Sequence, residues 1–144
     1  MMEKQDMVRF LVIGTFMISS YCIPVALADK WTCTEEEAQS AEVIVATIDS
    51  WMRLYQQFKR YAHCDDGAIA EGFSESISLL LAEQWEDIQE ASTVLIPNSA
   101  FQEFIIKHID ETVPDKRLER VRKNIRERCP LSLEDFCHKI ESAN

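Results

Sequence analysis

Four neighbours in the middle of the chain, His63, Cys64, Asp65 and Asp66, carry the side chains of a nucleophile, a base and two carboxylates. Thiol attack needs sulfur, imidazole and an orienting carboxylate to meet at hydrogen-bond distance, and consecutive residues do not ordinarily converge that way. Cys64 also has a better use in a disulfide. The remaining histidines, His108 beside an apolar stripe and His138 after a cysteine, read as local hydrogen-bonding residues. A metal could draw on His63, Asp65, Asp66 and Glu71. The chain nevertheless has neither paired C-x2-C spacing nor an H-E-x-x-H helix, and the run after Asp65 does not fill the alternating positions of a calcium loop. No catalytic residue, cofactor or metal is therefore expected. What remains is an acidic edge: Asp65 and Asp66 at a helix start, with Glu71 and Glu75 four apart farther along it. Beside them Gly72 leaves room for a close approach. Such a rim suits the basic cleft of a partner protein.

Helices must carry this edge. Thr34 followed by Glu35, Glu36 and Glu37 has the form of a capping box. The apolar rhythm from Ala41 through Ile48, Tyr55 and Phe58 predicts one helix of about seven turns. A second helix is expected from Asp66 or Gly67 to about Ala91. Pro97, Asn98 and Ser99 start a third, with Ser99 and Gln102 as its capping box. A fourth helix follows the break at Thr112, Val113, Pro114 and Asp115 and stops near Cys129 and Pro130. Ser132 and Asp135 would cap the fifth. The expected architecture is an all-α, compact single-domain bundle of about five helices.

The first 28 residues read as an export signal. Lys4 and Arg9 precede an apolar stretch from Phe10 to Ile18, and Ala26-Leu27-Ala28 provides small residues for cleavage before Asp29. The domain is then residues 29–144, delivered outside the cytoplasmic membrane and left with no stable membrane partner after cleavage. It keeps Cys33, Cys64, Cys129 and Cys137, an even number in an exported chain, which permits three pairings. Cys129 with Cys137 would staple one helix end to the next, leaving Cys33 for Cys64; the crossed pairing stays open.

Composition narrows the partner. The 144 residues carry 25 acidic and 15 basic side chains, a net charge of −10. Phosphate backbones need concentrated positive surface, so nucleic acid is not the expected partner. Residues 29–111 hold 17 acids against five bases, whereas residues 112–144 hold eight bases against six acids. Lys116, Arg117, Arg120, Arg122, Lys123, Arg126 and Arg128 crowd one helix, able to complement the acidic helices within the fold or across a dimer.

The segment Cys64-Asp65-Asp66-Gly67-Ala68-Ile69-Ala70-Glu71-Gly72-Phe73-Ser74-Glu75-Ser76 resembles the signature of the Tai/Rap-type periplasmic immunity proteins, which neutralise type VI secretion amidase effectors. Phe104-Ile105-Ile106-Lys107-His108-Ile109-Asp110-Glu111-Thr112 and Cys129-Pro130 with Cys137 extend the likeness over most of the exported chain. The resemblance implies a disulfide-stabilised, all-helical periplasmic protein, commonly a homodimer, that performs no reaction itself. Its partner would be a secreted cysteine-histidine peptidoglycan amidase whose active-site groove it occludes. Asp65, Asp66, Glu71, Gly72, Ser74 and Glu75 are then the first contact candidates. Pro97 and Asn98, in the connector 92–98, and Asp110 and Glu111, in the connector 110–115, are candidates for an inserted loop. The rival expectation is a structural or chaperone-like periplasmic protein without amidase specificity.

Overall fold

The computed structural model describes residues 32–110 and 112–143; the expected leader, residues 1–28, and Glu111 lie outside them. Seven α-helices make up the described chain: α1 Glu35–Val45, α2 Trp51–Tyr61, α3 Gly67–Glu83, α4 Ile88–Leu95, α5 Ser99–Lys107, α6 Asp115–Arg128 and α7 Glu134–Ala143, with 3-10 turns at Ala62–Cys64, Trp85–Asp87 and Leu131–Leu133. The all-α expectation holds, with two helices more than expected. Helix α3 occupies the middle, packed on one side by α1 and on another by α6, while α5 and α6 each meet α7. Phe73, Ile77, Leu80 and Leu81 of α3 are wholly buried among Leu54, Phe101, Ile105 and Val121. No helix of the described residues is long and apolar enough to cross a membrane.

The extra helices come from breaks inside the two long helices expected from the sequence. Between α1 and α2, residues 46–50 leave the helix; Thr47 Oγ1 donates to the Ile44 carbonyl at 2.8 Å and Ser50 is extended. Threonine, aspartate and serine supply local alternatives to helical hydrogen bonds, and three of them fall within these five residues. Ser76 Oγ, from α3, donates to the Val45 carbonyl at 2.8 Å and helps satisfy the exposed end of α1. Between α3 and α4 the chain turns at Gln84, whose carbonyl accepts the Trp51 indole N–H at 3.3 Å. Trp85 turns inward and donates to the Arg128 carbonyl at 2.9 Å. Burying two indoles with their N–H groups bonded outweighs the continuity of one helix.

The caps divide similarly. Thr34 and Glu37 form the expected capping box. At α5 the cap is Asn98, which accepts from Phe101 N at 3.0 Å; Ser99 is the first helical residue, and Gln102 donates to the Leu95 carbonyl. Ser132 likewise bonds Gln89 rather than capping α7. The basic helix α6 is matched internally: Arg117 pairs with Glu75, Arg120 with Glu83, and Arg128 with Glu86. Buried Asn124 adds hydrogen bonds to the Leu81 and Ala82 carbonyls.

Two disulfides close the body, Cys33–Cys64 and Cys129–Cys137, so the crossed pairing is not adopted. The first ties the start of the described chain to the turn before α3. The second bridges the end of α6 to α7. Such bonds persist in a non-reducing compartment.

Candidate protein-interaction site

The segment 65–76 begins with two aspartates that face opposite ways. Asp66 is exposed and extended, and its Oδ1 accepts from Gly67 N at 2.8 Å, capping α3. Gly67 has φ +51°, the left-handed region that a side chain seldom adopts. Asp65 turns inward. Its side chain is only 6% exposed, and Oδ2 accepts from Lys107 Nζ at 2.6 Å and His108 Nε2 at 3.2 Å. Burial alone would raise the pKa of this carboxyl. The hydrogen bonds and charges of His108 and Lys107 outweigh burial and hold it below the usual carboxylate range.

His108 is itself buried, with Nδ1 2.9 Å from Ser74 Oγ. An ionised Asp65 can only accept, so the proton between the two side chains sits on His108 Nε2. The sequence does not announce this Ser74–His108–Asp65 chain, because its members stand on separate elements. It has the connectivity of a nucleophile, a base and an orienter. Ser74, however, lies in the interior of α3, where backbone N–H groups bond carbonyls four residues back and are not free to hold an oxyanion. The arrangement clamps the 62–66 turn, α3 and the end of α5 together.

Gly72 is also spent internally. A Cβ there would stand 2.4 Å from Val45 Cγ2, so the missing side chain is what lets α1 lie against α3. Three of the six central candidates, Asp65, Gly72 and Ser74, therefore serve the fold from within. The surface that a partner can meet narrows to Asp66, Glu71 and Glu75.

Glu71 is exposed and has no ion-pair partner among the described residues. Glu75 is more than half exposed and takes both nitrogens of the Arg117 fork, at 2.5 and 3.0 Å, while Arg117 also donates to Ser78 Oγ at 3.0 Å. Around these carboxylates opens a surface concavity of about 350 Å³, walled by Glu71, Ser74, Glu75 and Ser78 of α3 and by Thr112 and Val113. It brings together two segments that the sequence nominated separately. The second is held by Asp110, whose Oδ1 accepts from Thr112 N at 2.8 Å and from Thr112 Oγ1 at 2.5 Å. Those bonds lower the Asp110 pKa. Buried Val113 anchors the other end of the turn.

Pro97 and Asn98 do not line the concavity. The connector expected at 92–98 is shorter than that, because residues 92–95 finish α4. Pro97 is exposed beside Ile96, and Asn98 spends its side chain on the α5 cap. Ligand atoms of Cys33, His63 and Cys64 do lie within 4.8 Å of one another. Both sulfurs are joined in the disulfide, which leaves no thiolate to offer a metal. Comparison of the chain with known protein families, with curated proteins and with solved structures finds no match.

Proposed function

We propose that this protein is a periplasmic immunity protein that binds a cognate type VI secretion peptidoglycan amidase and blocks its active-site groove without catalysing a reaction. The observation that carries the reading is the acidic concavity. Residues from the signature-like segment and from the turn after α5 surround one recess. Its rim presents Glu71 unpaired, and the second carboxylate, Glu75, is held by a guanidinium, the kind of group a basic cleft would bring. The disulfide-closed body suits delivery to an oxidising compartment, and a homodimer is part of the same proposal.

The test uses protein beginning at Asp29, mixed with a co-encoded amidase and scored by peptidoglycan digestion. Glu71→Lys should weaken inhibition about tenfold, because it replaces an attractive charge by a repulsive one. Asp66→Asn, which keeps an N-capping side chain, should weaken it less. Unchanged inhibition by Glu71→Lys, with fold and oligomeric state intact, removes the acidic contact. Failure of the parent protein to bind any co-encoded amidase removes the immunity reading and leaves the structural or chaperone-like one.

A further inference from the structure

A second recess, between α6 and α7, shares no lining residue with the acidic one and is unlike it. Leu118, Val121 and Ile125 of α6 form one wall, with Ile140 of α7 and Ile109 completing a cavity of about 160 Å³. A cavity of about 150 Å³ with such walls accepts a guest the size of benzene. The space therefore suits roughly six to eight carbons and is too small for a helix or strand.

The charges of α6 say what such a guest would carry. Arg117, Arg120 and Arg128 are committed to Glu75, Glu83 and Glu86. Arg122 and Arg126 stand on the cavity side, four residues apart, and make no ion pair or hydrogen bond among the described residues. At that spacing two helical side chains are neighbours, and guanidinium forks match the two oxygens of a carboxylate. Glu141 is the one acid on the lining and opposes an anion. Two guanidiniums against one carboxylate still leave the mouth positive, next to an apolar interior.

We propose that the α6–α7 recess binds a small free monocarboxylate, its short hydrocarbon body inside the cavity and its carboxylate between Arg122 and Arg126. This site is independent of the amidase reading and lies apart from the Glu71–Thr112 concavity.

The exported protein, carrying carbon-13 in its isoleucine methyl groups, can be titrated with octanoate, with 1-octanol and with octylamine. Octanoate should move the Ile109, Ile125 and Ile140 resonances in a saturable way, about three- to fivefold more tightly than octanol, with octylamine weakest. Arg122→Gln with Arg126→Gln should bring octanoate down to the octanol level while the methyl spectrum of the unliganded protein stays folded. Glu141→Gln should tighten octanoate a few-fold and leave octanol unchanged. Equal binding of octanoate and octanol would reduce the recess to an unselective apolar cavity and overturn the proposal. Absence of saturable shifts with octanoate would overturn it as well.

Discussion

Asp65 shows how a residue that looks like a surface acid becomes part of the interior. Its neighbours in sequence give no reason to turn it inward; Lys107 and His108, 42 and 43 residues away, do. Because its pKa is depressed in the folded chain, the stability it contributes is present above the unfolded value of about 3.9 and is lost as pH falls through the lower folded value. Asp65→Asn removes the charge while keeping the shape. In urea denaturation the variant should be about 1.5–3 kcal/mol less stable at pH 7, the range for hydrogen bonds to a charged group. The gap should close as both proteins are taken below pH 4. Asp110 is depressed too and titrates in the same acid window, but it is common to both proteins and cancels in the comparison. A gap that stays constant from pH 7 to pH 3 would sink the assignment.

Among elements, the contact between α1 and α3 depends on Gly72. Alanine is the better helix former by about 1 kcal/mol, so Gly72→Ala on an isolated helix would stabilise it. Here the new methyl meets the stiff, buried side chain of Val45, whose Cγ2 would lie 2.4 Å away. The expected net result is a loss of about 1–3 kcal/mol by chemical denaturation, largely recovered when Val45→Ala is added. If Gly72→Ala alone stabilises the protein, the helix contact is not as tight as described. The sequence makes the elements legible where the signal is local: the Thr34 capping box, the Asp66 cap, the breaks at Pro97, Pro114 and Pro130. It misses the interruptions after Val45 and Glu83 because Val45, Ile48 and Trp51 face the core in a broken helix as well as in a continuous one. For the candidate site, the exposure of Asp66 and Glu71 follows from the charge pattern. The recess beside Glu71 depends on the turn at Thr112 folding back onto α3, which local periodicity does not encode.

On the scale of the whole molecule, the two disulfides decide where such a chain can stay folded. Cys33–Cys64 spans 31 positions and Cys129–Cys137 spans eight, and the two loops do not overlap. By loop-closure entropy the first contributes roughly 3–4 kcal/mol and the second roughly 2–3 kcal/mol, acting on the unfolded chain. Domains of this size have about 5–15 kcal/mol of stability in all. Removing both bonds therefore takes away a large share of it, even with every helix contact retained. Reduction by a phosphine should lower the denaturation midpoint sharply. Cys33→Ala with Cys64→Ala should cost about 1 kcal/mol more than Cys129→Ala with Cys137→Ala, since the longer loop restricts the unfolded chain more. Equal losses from the two pairs would mean that folded-state packing, in particular the half-buried Cys129 beside Leu133, sets the cost instead of loop length. A reduced protein as stable as the oxidised one would break the link between these bonds and the non-reducing compartment.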